Sequence, residues 1–115
     1  MGVEAIDRIA KFLKILADAN RLRIISAIGK KECSVSGIMN DTGLPQTLVS
    51  FHLRILREAG LVETERKGAF IYYRLKDQGL IDLLSACETY TSDYDSEIDG
   101  PPVFCSCPPW FFKKT

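Results

Sequence analysis

The chain has 115 residues, 46% hydrophobic and 26% charged, with fifteen basic and fifteen acidic side chains and no net charge. That balance describes one ordinary globular domain, small enough to favour dimerisation as extra burial. No run approaches the apolar length of a membrane span, so no membrane partner is expected, and a single histidine excludes a metal site built from several histidines.

From the N-terminus, Val3, Ile6, Ala10, Leu13 and Ala17 recur at helical spacing and predict an amphipathic helix over residues 3–17. Acidic residues come early there and no small-residue cleavage site follows, so no signal peptide is expected. A cytoplasmic location would keep Cys33, Cys87, Cys105 and Cys107 as thiols or metal ligands. Asp18-Ala-Asn20 offers a turn and an N-cap for a short second helix, Arg21 to Ile28, with Leu22, Ile25 and Ile28 inward. Ser34 can cap a third helix over 35–41, and Thr42-Gly43-Leu44 makes a tight connection. Pro45 suits the first position of a longer helix over 45–58, completing a helix-turn-helix.

Residues 61–66 and 70–75 are β-rich and joined by Lys67-Gly68-Ala69, which predicts a hairpin with Ile71, Tyr73 and Leu75 on one face. Asp77 caps a last helix reaching about residue 91, with Leu80, Leu84 and Cys87 on one stripe. An acidic loop, SDYDSEIDG, and a proline- and aromatic-rich tail, PPVFCSCPPWFF, follow. The expected fold is therefore α+β and mainly helical: a winged helix-turn-helix with dimerisation helices at both ends. Residues 1–92 form the DNA-binding and dimerisation domain, and 93–115 the loop and tail.

Charge is unevenly spread along this layout. Residues 21–76 carry ten basic against five acidic side chains, net +5, while 77–115 carry two basic against seven acidic, net −5. A basic middle can neutralise phosphates, whereas an acidic C-terminal part would be kept off DNA.

Projecting residues 46–58 at 100° per residue separates two faces. Val49, Leu53 and Leu56 face the core, with His52 beside them in a structural role. Thr47, Ser50, Phe51, Arg54 and Glu58 lie opposite, flanked by Gln46 and Arg57. Gln can bridge adenine, Ser and Thr can bond bases or phosphates, Arg can fork onto guanine or phosphate, and Phe51 can touch a thymine methyl. Gln46, Thr47, Ser50 and Phe51 are expected near base edges, with Arg54 nearer the backbone. Arg66 and Lys67 place positive charge at the wing tip, for a minor groove or phosphate ridge.

Three segments, Leu16 through Ile25, Ser50 through Val62, and Gly68 through Leu75, together resemble the ArsR/SmtB family of winged-helix repressors, over roughly residues 9–87. The resemblance implies a homodimer built from the first and last helices. It also implies binding to a palindromic double-stranded operator and release by a metal ion, metalloid or thiol oxidant. Base contacts in the family map to Gln46, Thr47, Ser50 and Phe51, where histidine is common in the family. The chain departs from the family's best-known sensors. Ser34 and Ser36 stand where the arsenic-responsive type has Cys-x-Cys, the last helix has no histidine for the zinc-responsive site, and the second helix has Ser26 and no cysteine for the persulfide-sensing pair.

The remaining sensor candidate is Cys105-Ser-Cys107, stiffened by Pro101-Pro102 and Pro108-Pro109. Two thiolates with a third from Cys33 or Cys87 suit As(III), Sb(III), Cd(II) or Pb(II) as inducer, with no organic cofactor. Cys87 on its apolar stripe and Cys33 before a helix cap can equally be plain small hydrophobes. Two alternatives stay open: a thiol redox switch closing a disulfide, and a thiol-rich metal-buffering or interaction module that does not bind DNA. No phosphate-cradling loop or nucleophile–base spacing points to an enzyme.

Overall fold

The structure is a computed structural model that describes residues 1–91; the expected loop and tail, with Cys105 and Cys107, lie outside the described residues. Five helices are observed: α1 Val3–Leu16, α2 Ala19–Ile28, α3 Val35–Thr42, α4 Gln46–Glu58 and α5 Gly79–Thr89. Three strands, β1 Cys33–Ser34, β2 Val62–Lys67 and β3 Phe70–Leu75, form an antiparallel sheet in the order β1-β3-β2.

Local chemistry sets the helix boundaries. The Asp18 carboxylate accepts from the N–H groups of Asn20 (2.9 Å) and Arg21 (3.2 Å), satisfying two orphan donors at the start of α2. Ser34 Oγ does the same for Gly37 N–H at 3.1 Å and starts α3. Gly43, at φ 74°, ends α3 in the left-handed region that favours glycine. Pro45 differs slightly from expectation. Its ψ of 157° is extended, so it caps α4 from outside, its carbonyl accepting from Leu48 and Val49. The end of α4 is a two-bond Schellman closure: Leu61 N–H donates to Leu56 O (2.9 Å) and Gly60 N–H to Arg57 O (3.0 Å), with Gly60 at φ 80°.

The core lies between α2, α3, α4 and the root of the sheet. Ile24, Ile25, Ile28, Ile38, Val49, Leu53 and Leu56 are fully enclosed, and Val62, Leu75, Leu80, Leu16 and Cys33 complete the cluster. Each such side chain contributes roughly 1.5–3 kcal/mol by leaving water. In α2 the inward row is Ile24, Ile25 and Ile28, while Leu22 is only half-buried.

The apolar stripe of α1 lies largely open. Val3 is 75% exposed, and Ile6, Ile9 and Leu13 are also open; only the last turn, with Leu16, joins the core. On α5, Leu80 is buried and Leu84 half-buried, but Leu83 and Cys87 are exposed. Among the described residues, α1 and α5 thus both carry apolar surface that stands open.

Candidate nucleic-acid interface

Burial of Val49, Leu53 and Leu56 against α2 and α3 fixes the rotation of α4 about its axis. The same rotation turns Gln46, Thr47, Ser50, Phe51 and Arg54 outward together, all exposed. Phe51 is 55% exposed, a large apolar group held out in solvent between polar neighbours. Arg54 Nε lies 3.4 Å from Glu58 Oε2, one turn on. This exposed pair is worth only a few tenths of a kcal/mol and leaves the guanidinium available to a phosphate.

His52 points the other way and is 4% exposed. Its Nδ1 accepts a 3.2 Å hydrogen bond from Arg21 Nε, and the Arg21 Nη1 donates to Ile15 O at 3.0 Å. Burial pushes the imidazole pKa below its ordinary value; the Asp18 charge opposes this and the Arg21 charge adds to it. The ring is therefore the neutral acceptor, with its proton on Nε2. The expected structural role of His52 is seen, but its partner was not anticipated. An arginine at helix position three reads as a solvated residue, and only the packing of α2 against α4 reveals it as buried.

The wing has two distinct faces, set by its register. Glu63 faces Arg74, Glu65 faces Tyr72 and Lys67 faces Phe70, while Val62, Thr64 and Arg66 face Leu75, Tyr73 and Ile71 on the other side. On the first face Lys67 Nζ sits 3.1 Å from Glu32 Oε1, 3.5 Å from Glu65 Oε2 and 5.5 Å from the centre of the Tyr72 ring. The hydrogen bond that Lys67 donates to the Glu32 carboxylate holds its ammonium above its ordinary pKa. Arg74 is likewise engaged, at 2.8 Å from Glu63 Oε1. Arg66 has no ion pair among the described residues. The two residues grouped at the tip by sequence are thus split: Arg66 stands exposed and unpaired, and Lys67 is held by two carboxylates. Glu32 lies 35 residues from Lys67, so no local pattern could announce the pairing.

The cysteines also separate. Cys33 is buried in β1, opposite Tyr73 of β3, and its thiol donates to Ala27 O at 3.6 Å. Burial pushes its pKa up; Lys31 opposes the rise and Asp41 adds to it. A thiol of that kind resists becoming the thiolate that ligates a soft ion. Cys87 is exposed near the end of α5. Among the described residues no three His, Cys, Asp or Glu side chains are grouped to hold a metal ion. No helix of the described residues is long and apolar enough to cross a membrane.

Comparison with known proteins matches this architecture. The family described as bacterial regulatory protein, arsR family, matches residues 18–64, which span α2 through the start of the wing. A transcriptional repressor SmtB homolog from Synechocystis sp. is 32% identical, over 83% of this chain and 72% of that protein. The transcriptional regulator KmtR of Mycobacterium tuberculosis is 36% identical, over 83% of this chain and 69% of that protein. Among solved structures, NolR from Sinorhizobium fredii superposes with a TM-score of 0.67 at 31% identity, covering 78% of this chain and 93% of that one. A homodimeric winged helix-turn-helix DNA-binding domain from Mycobacterium bovis gives the same TM-score at 31% identity, covering 76% and 82%. The relatives named are regulators, and with identities above 30% over more than two thirds of both chains, the chain belongs to the ArsR family, as a winged helix-turn-helix transcriptional regulator.

Proposed function

We propose that the protein is a homodimeric repressor that binds a palindromic operator and leaves it when a thiophilic ion binds cysteine thiolates. The observation that carries the DNA half is the outward row Gln46, Thr47, Ser50, Phe51 and Arg54 beside an unpaired Arg66. The open apolar surface of α1 and α5 supports the dimer, as does the homodimeric Mycobacterium bovis relative. A two-fold dimer would set its two α4 helices about 34 Å apart, one turn of duplex, so each reads a half-site.

The inducer reading rests on Cys105 and Cys107 with Cys87 as the third ligand. Cys87 is preferred over Cys33 because it is exposed on the last helix, whereas the Cys33 thiol is enclosed and kept protonated. Three sulfur donors suit As(III), Sb(III), Cd(II) or Pb(II). Binding there would tie α5 to the tail, shift the dimer angle and spoil the half-site spacing, a coupling free energy between two sites.

The test is release of operator DNA titrated against these ions and against peroxide and polysulfide, for wild type and a Cys105→Ser/Cys107→Ser variant. Release of wild type by an ion, lost in the variant with DNA affinity intact, is the expected result. Release by oxidants but not ions selects the redox switch instead. Absence of any steeply salt-dependent association with duplex DNA selects the non-DNA-binding module.

A further inference from the structure

We infer that Arg21 and His52 are positioning residues for base reading: held by Arg21, the buried His52 ring braces Phe51 on the DNA-facing side of α4. This rests on the proposal that α4 reads an operator.

The geometry is continuous from one side of the domain to the other. Arg21 begins in α2, grips the last turn of α1 through Ile15 O, and reaches α4 through His52 Nδ1. It is 7% exposed, so both bonds are made in a low-dielectric setting where a charged donor counts for more. His52 in turn sets its ring edge-on to Phe51, with centroids 5.1 Å apart and planes at 72°. Phe51 has no other ring partner among the described residues and stands exposed, so without that brace its ring is free to sample other rotamers. A side chain that reads a base edge must be ordered before it arrives, or the ordering cost comes out of the affinity for the correct sequence. Non-specific binding, which runs through phosphates, does not depend on where Phe51 points.

Two substitutions separate the parts of the arrangement. In His52→Asn the amide oxygen can still accept from Arg21, but the ring against Phe51 is gone. In Arg21→Gln the ring remains and its anchor goes. A randomised duplex pool selected on full-length wild type first gives the preferred site. Affinity for that site, and for an unrelated duplex, is then measured for each protein alongside its melting temperature. For His52→Asn the expected result is a loss of roughly tenfold for the preferred site, the size of one lost base contact, with preference relaxed at one position per half-site. Affinity for the unrelated duplex and its salt slope stay unchanged.

A readout on the unaltered protein guards against variants that fail to fold. His52 is the only histidine in the chain. The charged groups acting on its ring are Asp18 and Arg21, both at the start of α2. Acidification from pH 7.5 towards 5 should therefore lower the ratio of specific to non-specific affinity in wild type as Nδ1 gains a proton and Arg21 loses its acceptor. His52→Asn should show no such fall. A preferred site shared position by position by wild type and His52→Asn at equal affinity overturns the positioning role alone. So does an equal loss of specific and non-specific binding with a collapsed melting temperature, which would mark the pair as fold determinants only. A wild-type selection that enriches no sequence overturns the operator reading, and the positioning role with it.

Discussion

Replacing Glu32 with glutamine is expected to tighten binding to duplex DNA and steepen its dependence on salt. Lys67 Nζ lies between two carboxylates, at 3.1 Å from Glu32 and 3.5 Å from Glu65, so a phosphate must compete with both. Arg66, on the opposite face of the hairpin, has no such competitor among the described residues. Each phosphate neutralised adds about 0.9 to the slope of log affinity against log salt. Full release of one Lys67 in each half of a homodimer would add about 1.8, equivalent to roughly twelvefold in affinity over a fourfold range of salt, and with Glu65 still in place the gain in Glu32→Gln stays below that ceiling. The assay is fluorescence anisotropy of a labelled duplex at several salt concentrations, for Glu32→Gln, Lys67→Ala and Arg66→Ala. The slope should steepen in the first, stay near wild type in the second and flatten by roughly 1.8 in the third. If Lys67→Ala flattens the slope as much as Arg66→Ala, and Glu32→Gln leaves it unchanged, Lys67 already sits on phosphate and the argument fails.

Three other outcomes follow from the structure. Ile6→Glu places a charge on the open stripe of α1, so sedimentation should show monomers and operator affinity should drop more than tenfold, while the helical circular dichroism signal persists; an unchanged dimer would move the interface elsewhere. The depressed His52 pKa means the folded state holds fewer protons there than the unfolded chain, so its contribution to stability is present above the ordinary value of 6.5 and is lost as pH falls below it. Urea midpoints from pH 7.5 to 5.5 should fall in wild type and lack that component in His52→Asn. Cys33 and Cys87 should differ in alkylation by iodoacetamide at pH 8: Cys87 reacts as an open thiol, and Cys33 only as fast as the domain unfolds. Equal rates would show that β1 opens freely.

The parts legible in the sequence were those decided within a few residues. Ser34 as a cap, the Thr42-Gly43-Leu44 connection and the hairpin around Gly68 all depend on neighbours in the chain and appear where the pattern put them; the turn at Asp18 was as local, although α2 starts at Ala19, two residues before the expected Arg21. The outward row on α4 was equally readable, because Val49, Leu53 and Leu56 leave one rotation for that helix. What escaped depends on distant partners. β1 is two residues long and exists only because Cys33 and Ser34 meet Tyr73 and Tyr72 of β3. Arg21 and Lys67 look alike as basic residues, yet one is buried against His52 and the other held by Glu32. At the last helix the local signal did carry: Asp77 Oδ1 accepts from the Gly79 N–H at 2.8 Å, the expected cap, and α5 runs from Gly79.

The closure at the end of α4 has a mechanical consequence. Leu61 N–H is bonded to Leu56 of the helix, and Leu61 O receives the Lys76 N–H at the exit of β3. Helix and hairpin are thereby joined at one residue, like the two legs of a caliper with a locked pivot. The distance from Ser50 to Arg66 is then a fixed opening rather than a flexible reach. One residue inserted at Ala59-Gly60 would rotate the wing off its ridge, whereas residues added at Gly68-Ala69 would only lengthen one leg. Chain length is thus free to vary at the tip and constrained at the pivot, so the spacing between the outward row of α4 and the wing tip is set by the bonds among Leu56, Leu61 and Lys76.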